Sequence, residues 1–495
     1  MYPSISQVKD LSATGKYRRI PVSMELFSDR FTPIEVMRTL RAASRHCYLL
    51  ESAESRETWG RYSFLGYAPT LELTCRAGQL RILRDPEGEH PDVTTMTVEH
   101  PGQIIRDILA EYKSPKLEGL PPFTGGFVGY FSYDYIQYAE PSLKRPPNES
   151  SDFRDVDLML FDRVIVFDNY RQKLILIAGV DTNDPENSYL AAQKSLQDMA
   201  ALLTSGARAV FRPLHLTSPL ELCFSKERYM NMVEQARHYI KEGDIFQVVL
   251  SNPMEAQAEG SLFDVYRVLR TTNPSPYMFY FSSDDIEVSG ASPETLAKLQ
   301  DGALYTFPLA GTRPRGKTSA EDRQLEQELL RDEKERAEHN MLVDLGRNDL
   351  GKISQLGTVQ VEKYMSIERY SHVMHIGSTV SGRIRPDKDA VDAVDAILPA
   401  GTLSGAPKLR ACQIIEELEG RPRGIYGGAI GYLDFTGNLD VCISIRLAYK
   451  KNGKICVQSG AGIVYDSVPE AEYQECRNKA QAVVSAIAAA EGGIQ

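Results

Sequence analysis

Three strand-like runs follow one another in the last part of the chain, and they constrain the fold more than any other feature. They are RGIYGGAIGYLDF at 423–435, LDVCISIRLAY at 439–449 and KICVQSGAGIVY at 454–465. Consecutive strands with short connections pair as antiparallel neighbours, because a parallel pair needs a long crossover. Strands and helices elsewhere alternate without a βαβ rhythm, so the sequence predicts an α+β fold.

The organisation of the chain changes near residue 180. Short strand-like runs precede that point, such as RVIVFD at 163–168 and KLILIAG at 173–179. The pattern then loosens, until Ser225 offers a helix N-cap and Gly243 a helix stop. We therefore divide the chain into an N-terminal domain, a connecting segment and a second domain, at 1–180, 181–224 and 225–495.

The composition excludes several classes of function. Of the 495 residues, 42% are hydrophobic and 25% charged, which is typical of a soluble globular protein. The formal net charge of -11 disfavours nucleic acid, and an anionic ligand would need local positive charge or a metal. The start, MYPSISQVKD, lacks an apolar segment, so we expect no signal peptide, and no run is apolar enough to span a bilayer. The seven cysteines are scattered without a CxxC pair, which indicates a reducing cytoplasm rather than disulfides or zinc.

Two helical segments each carry a pair of glutamates on an apolar stripe. ERAEHNMLVDLGRND at 335–349 presents Glu335 and Glu338, and a second segment near the C-terminus presents Glu472 and Glu475. Residues three apart share one side of a helix. The alternative is solvated charge near a helix start, where the helix dipole favours acids. Four buried carboxylates without a cation would be very costly, so the pattern favours a Mg²⁺ ion held between the two helices.

Further candidates lie in turns and strands. Glu294 in SGASPETLAKL can be a carboxyl kept protonated as a general acid, although a glutamate in a turn is usually solvated. Gly311 and Thr312 in PLAGTRPRG can donate hydrogen bonds to an anion, or form a plain surface loop. SGAG at 459–462 lets backbone approach a ligand closely, and His375 falls in a strand-like run where a satisfied core histidine is the alternative.

Five motifs, taken in order, resemble those of the chorismate-utilising enzymes. They are AGTRPRG, AEHNMLVDLGRND, GTLSGAPK, YGGAIGY and SGAGIVYDSVPEAEYQECRNKA. The likeness is strong over about 225 to 490 and looser before that. It implies large antiparallel sheets in a two-lobed sandwich with flanking helices, and a Mg²⁺-dependent reaction on chorismate.

The resemblance also implies roles for individual residues. Glu338 and Glu475 would bind Mg²⁺ directly, with Glu335 and Glu472 acting through water. Glu294 corresponds to the family's general acid, and His375 to a histidine of the elimination step. The remaining positions that match the surroundings of chorismate are Gly311, Thr312, Thr402, Tyr426, Arg446, Gly460, Ala461, Gly462 and Lys479.

Two positions indicate a branch within the family. Sister aminodeoxychorismate synthases commonly carry a lysine nucleophile where this chain has Ala310. Isochorismate and salicylate synthases carry a lysine base at the position of Gln247, and glutamine takes no proton at neutral pH. Both substitutions favour the branch that uses free ammonia and forms anthranilate and pyruvate. The alternatives are a 4-amino product, as in aminodeoxychorismate synthase component I, and a catalytically idle tryptophan-binding regulatory subunit.

Regulation and partnership follow from the same resemblance. LLESAESRETWGRYSF at 49–64 and NPSPYM at 273–278 are similar to the family's tryptophan feedback site. Ser52 would contact the inhibitor, and the pocket would include Pro276, Tyr277 and Met278. The chain contains no glutaminase motif, so the resemblance implies a partner glutamine amidotransferase subunit, in a heterotetramer of two large and two small subunits.

Overall fold

Two large antiparallel sheets dominate the structure, which is a computed structural model describing residues 1–53, 59–144, 153–369 and 373–494. Within those ranges one sheet has 13 strands and the other 12, and every strand pair in both sheets is antiparallel. None of the helices in these ranges combines the length and apolar character that crossing a membrane requires.

The first sheet is built from strands of both halves of the chain. In their order across the sheet, these strands are β1 (Arg19–Phe27), β10 (Lys173–Asp181), β9 (Arg163–Asp168), β3 (Tyr62–Tyr67), β2 (Cys47–Glu51), β14 (Tyr277–Ser282), β15 (Ile286–Ser292), β24 (Leu447–Lys451), β25 (Lys454–Ile463), β13 (Gln247–Glu259) and β11 (His215–Leu216). Two short strands also pair with β13, namely β12 (Glu221–Leu222) and β21 (Gly405–Ala406).

The second sheet has the same mixed origin. Its strands, again in order across the sheet, are β18 (Leu309–Pro314), β20 (Val373–Arg383), β17 (Ala303–Thr306), β16 (Thr295–Gln300), β23 (Leu439–Ile443), β22 (Ala429–Asp434), β7 (Gly126–Phe131), β8 (Val156–Phe161), β4 (Leu71–Arg76), β5 (Gln79–Arg84) and β6 (Asp92–Thr97). One further strand, β19 (Gln360–Arg369), pairs with β20.

The α-helices of the described residues are α1 (Ile5–Ala13), α2 (Pro33–Ala43), α3 (Gly102–Glu111), α4 (Ile136–Ala139), α5 (Pro185–Ser205), α6 (Lys226–Glu242), α7 (Phe263–Thr272), α8 (Ser319–Arg331), α9 (Glu333–Gly351), α10 (Ala390–Ile397), α11 (Lys408–Glu419) and α12 (Pro469–Ala490). The acidic segment at 335–349 lies within α9, as predicted. Ser225 caps α6 by accepting the Arg228 amide at 3.2 Å, and Gly243 ends it at φ 84°, so both predicted signals are confirmed.

The two sheets pack face to face, with helices on their outer faces. An aromatic-rich core between them joins residues of both sheets, and the rings of Tyr48 and Phe161 lie 4.7 Å apart. A second core lies under α2, α5, α7 and α12 on the first sheet, and a third under α3, α9 and α10 on the second. The expected α+β sandwich of large antiparallel sheets with flanking helices is confirmed.

The N-terminal and C-terminal parts of the chain share both sheets. Strand β2 pairs with β14, where Leu50 lies opposite Phe279, and β7 pairs with β22, where Gly129 lies opposite Gly431. A site built on either sheet is therefore positioned by both parts. The division at 1–180, 181–224 and 225–495 stays a prediction.

The structure differs from the sequence pattern in two places. The run at 439–449 is not one strand: it divides into β23 in the second sheet and β24 in the first, with Arg446 between them at φ 52°. The segment at 181–224, where the sequence pattern loosens and which we assigned as a connecting segment, contains the 21-residue helix α5, which the pattern did not show. Its buried positions, Ala192, Leu196, Met199 and Leu203, follow helical spacing and pack on the first sheet, so tertiary contact outweighs the flanking turn signals.

A buried ion pair, Arg423–Glu419, holds a turn against the first sheet. Arg423 and Glu419 have side chains only 0% and 1% exposed, and the guanidinium Nε donates to Glu419 Oε2 at 2.9 Å. Arg423 also donates to the carbonyls of Leu403 at 2.6 Å and Val249 at 2.7 Å. Arg423 thus fixes the 401–403 turn to β13, because guanidinium N–H groups donate to a carbonyl of each.

Removing one partner of this pair should destabilise the protein strongly. Glu419→Ala leaves a buried guanidinium without its counter-charge, which costs about 3–5 kcal/mol of unfolding free energy. Glu417→Ala on the same helix removes only an exposed contact with the Tyr239 hydroxyl and should cost about 1 kcal/mol or less. Urea unfolding of both variants measures the difference, and similar midpoints for the two would contradict the prediction.

Candidate active site and a second cavity

The acidic faces of α9 and α12 meet at one cleft. Burial raises the pKa of Glu338, and the nearby carboxylates of Glu335 and Glu475 raise it further. Burial also raises the pKa of Glu472, as does Glu475. Because Glu338 lies on α9 and Glu475 on α12, the two predicted pairs influence each other across the cleft.

Two lysines offset part of this negative charge. Lys479 Nζ lies 2.7 Å from Glu475 Oε1, and Lys334 and Lys479 both lower the pKa of Glu338 and Glu472. Within the described ranges, no three His, Cys, Asp or Glu side chains form a ready-made ion site. The donor set still fits a hard divalent cation, because all four groups are carboxylates whose mutual repulsion a cation would relieve.

Glu294 lies in the short connection from β15 of the first sheet to β16 of the second. Thr402 Oγ1 donates to Glu294 Oε1 at 3.2 Å. Burial raises the pKa of the Glu294 carboxyl to about 7, although Thr402, Arg446 and Lys479 act in the opposite direction. A carboxyl with this pKa can hold a proton near neutral pH, as a general acid requires.

His375 and Gly311 contact each other on the second sheet. The two residues come from the neighbouring strands β20 and β18, and His375 Nδ1 lies 2.9 Å from the Gly311 carbonyl oxygen. A carbonyl only accepts, so Nδ1 carries the proton and Nε2 is the acceptor nitrogen. Burial lowers the pKa of His375, which keeps the ring neutral at physiological pH.

Gly311 is required by its surroundings. Its φ is +64°, a region that side chains disfavour, and a β-carbon there would lie 3.1 Å from Glu335 Oε2 and 2.9 Å from Leu329 Cδ1. The glycine loop and the acidic face of α9 are therefore in close contact.

Two glycines of β25, a strand paired on both sides by β24 and β13, are closely packed. A β-carbon on Gly460 would lie 2.6 Å from the Leu250 carbonyl and 3.0 Å from Tyr426 Oη, and one on Gly462 would lie 2.7 Å from Gln247 Nε2. The absence of side chains at these two glycines thus leaves room for the Tyr426 hydroxyl and the Gln247 amide beside β25. Ala461 differs, because its side chain is buried in the core beneath α6 and α11, so only its backbone can face a ligand.

The predicted catalytic residues form a connected set. The Gly311 loop contacts His375 and Glu335, Glu335 neighbours Glu338, and Lys479 joins the acidic group to Glu294 electrostatically. Sequence reasoning missed Lys334 and the Arg423–Glu419 pair. The position of Lys334 next to Glu335 was a usable signal, but the burial of the ion pair was not visible in the sequence.

A second cavity of about 410 Å³ lies apart from this cleft. It is lined by all four residues of the predicted feedback site, Ser52, Pro276, Tyr277 and Met278. Residues that sequence reasoning missed also line it, including Tyr432, Lys298 and Asp440. The 54–58 part of the predicted feedback segment lies outside the described residues.

Comparison with known proteins agrees with these features. The model of the chorismate binding enzyme family matches residues 32–485. Anthranilate synthase component 1 of Acetivibrio thermocellus is 45% identical over 494 residues, covering 98% of each chain. The same component of Acinetobacter calcoaceticus is 44% identical over 501 residues, covering 99% of each. The crystal structure of anthranilate synthase component I from Streptococcus pneumoniae is 39% identical, with a TM-score of 0.74 over 86% of this chain and 92% of that one.

The raised pKa of Glu294 predicts a pH-dependent contribution to stability. A carboxyl whose pKa rises on folding stabilises the protein at low pH, and this contribution is lost as the pH rises through the folded pKa of about 7. The glutamine of Glu294→Gln does not titrate. As the pH is raised from 5 to 8, the thermal midpoint of this variant should therefore rise relative to that of the wild type. Differential scanning calorimetry of the free proteins measures this, and a difference that stays constant over that range would contradict it.

Proposed function

Because the chain belongs to the chorismate-binding enzymes, we propose that it is the large subunit of an anthranilate synthase. In this reaction ammonia adds at C2 of chorismate as the C4 hydroxyl leaves, and the resulting aminodeoxyisochorismate loses pyruvate to give anthranilate. The observation that carries the proposal is Glu294, a carboxyl of pKa about 7 within the electrostatic reach of Arg446 and Lys479. An acid that stays protonated beside cations suits a substrate with two carboxylates and a leaving hydroxyl.

Each group in the cleft has a chemical task in this proposal. Arg446 pairs a substrate carboxylate through its guanidinium fork, and Lys479 adds positive charge. Glu294, held by Thr402, gives its proton to the C4 oxygen as the C–O bond breaks. Neutral His375 accepts a proton at Nε2 during the loss of pyruvate. Local cations thus reconcile an anionic substrate with a chain of net charge -11.

The acidic cleft is the proposed Mg²⁺ site. Glu338 and Glu475 would hold the ion directly, and Glu335 and Glu472 through water. When bound, Mg²⁺ would neutralise the ring carboxylate of chorismate. The mutual repulsion that raises the pKa of Glu338 supports this assignment, since a site that disfavours its own negative charge gains from a cation.

The nucleophile is proposed to be free ammonia. Ala310 has no side-chain nucleophile, and Gln247, whose amide lies against Gly462, cannot act as a base on water. Ammonia would come from a partner glutamine amidotransferase subunit, as the designation component 1 of the relatives implies. We propose a cytoplasmic complex of two large and two small subunits.

The second cavity is the proposed feedback site for L-tryptophan. Aromatic walls and a rim of charged groups suit a zwitterionic aromatic amino acid, and the volume of about 410 Å³ is within the usual range for a small ligand. Ser52 and the Pro276–Met278 stretch would contact it.

One assay tests the proposed function. Purified protein is mixed with chorismate, Mg²⁺ and an ammonium salt at alkaline pH, and anthranilate fluorescence is followed with and without tryptophan. We expect fluorescence with ammonium, none with glutamine alone, and inhibition by tryptophan. Formation of a 4-amino product would assign the aminodeoxychorismate branch, and tryptophan binding without consumption of chorismate would assign a regulatory subunit.

The metal assignment predicts the behaviour of two variants. Glu338→Gln and Glu475→Gln should each lower kcat at least about 100-fold while the fold survives, because each removes a direct ligand. Mg²⁺ should raise the thermal midpoint of the wild type but not of either variant. Glu333→Gln, an exposed glutamate in the same helix, is the matched control and should keep its activity. Full activity in either ligand variant would refute the assignment.

A further inference from the structure

Tyr277 lines the second cavity and is also hydrogen-bonded to the strand that follows Glu294. Its hydroxyl lies 2.9 Å from Thr295 Oγ1 and 2.8 Å from Asp440 Oδ1. The single hydroxyl proton of Tyr277 goes to the Asp440 carboxylate, so Thr295 is the donor in the other bond. Tyr277 belongs to the first sheet, whereas Thr295 and Asp440 belong to the second. The tyrosine therefore links the two sheets at the wall of the cavity.

Thr295 and Glu294 are adjacent in the chain, so a movement of one is passed to the other. The Glu294 carbonyl accepts the Ile443 amide at 2.9 Å, which fixes the backbone to β23. The pairing of β16 with β23 has a register shift between Thr295 and Ala297. Irregularities of this kind redirect side chains and are frequent beside active sites. The direction of the Glu294 carboxyl therefore depends on how Thr295 is held.

The cavity and the catalytic carboxyl thus have a common structural element. Asp440 and Cys442 of β23 line the cavity, and Cys442 lies opposite Thr295 in the ladder. At the start of β16, Glu294 and Thr402 line a separate small space beside α9. A ligand that turns the Tyr277 ring would break or lengthen its bond to Thr295, at a place where both sites meet.

We propose that the Tyr277–Thr295 hydrogen bond transmits occupancy of the second cavity to the Glu294 carboxyl. The inference rests on the proposed function, in which that cavity takes tryptophan and Glu294 protonates the leaving group. Tyr277 and Thr295 are positioning residues: neither needs to contact chorismate. Inhibition then results from misdirection of the acid, and it does not require the inhibitor to enter the catalytic cleft.

The test removes this bond from each end. Tyr277→Phe keeps the ring in the cavity wall, and Thr295→Val leaves every residue that lines the cavity unchanged. Tyr280→Phe is the matched control. Tyr280 lies on the same strand as Tyr277 but on its opposite face, and the substitution deletes a buried tyrosine–carboxylate bond, to Glu287 of β15. Tryptophan affinity is measured by calorimetry, and anthranilate formation with ammonium is measured with and without saturating tryptophan.

We expect both variants to bind tryptophan within about fivefold of the wild-type Kd, since the side chains that line the cavity keep their shape. Thr295→Val loses one neutral hydrogen bond, whereas Tyr277→Phe loses that bond and also the bond to Asp440. The inhibition of each, relative to its own uninhibited rate, should weaken at least about tenfold. The pH profile of kcat/KM without tryptophan should also shift in both, because the direction of Glu294 changes. Tyr280→Phe should keep the wild-type inhibition and pH profile.

The outcomes separate this inference from the proposed function. If the variants bind tryptophan and remain fully inhibited, the inference is wrong while the proposed function stands. If wild-type protein does not bind tryptophan, the feedback assignment fails and the inference fails with it. If Tyr277→Phe binds tryptophan poorly, the inhibition of Thr295→Val alone decides whether the inference holds, because that variant keeps every residue that lines the cavity.

Discussion

Repulsion between the carboxylates of α9 and α12 is the interaction on which the acidic cleft depends. Each helix is fixed on a different sheet: α12 packs through Val483, Ala486 and Ile487 on the first, and α9 through Val343 and Leu350 on the second. The large apolar cores hold these acidic faces together at a distance that their charges alone would not favour. Burial, and then this repulsion, raise the pKa of Glu338 and Glu472, and the proposed Mg²⁺ ion would relieve both costs.

The interleaving of the chain explains how one scaffold can serve two sites. Because each sheet contains strands of both halves, the cavity beside β2 and β14 and the cleft beside β25 and α12 are parts of one packed body. The proposed coupling between them therefore does not require a moving linker. It requires a contact at the shared strand β16 that can adopt two arrangements. The Arg423–Glu419 pair has a complementary role, since it holds the Thr402 turn at a fixed position on β13.

Local patterns in the sequence predicted much of this architecture. The helical segment at 335–349 with its paired acids, the cap at Ser225 and the antiparallel strands follow from local patterns, and the order of five long motifs indicated the family. The break at Arg446 was not predictable, because both halves of the run are strand-like and only the sheets they join differ. Nor was the bond from Tyr277 to Asp440, which joins residues 163 positions apart through packing of the two sheets. Glu419 and Arg423, four residues apart, resemble an exposed pair until the surrounding core is known.

The most direct measurement is anomalous diffraction from crystals of the protein soaked with Mn²⁺ in place of Mg²⁺, at a wavelength near the manganese absorption edge. We expect a single strong peak between the carboxylates of Glu338 and Glu475, and its loss in crystals of Glu338→Gln. Side chains directed into solvent with no peak between the two helices would contradict it.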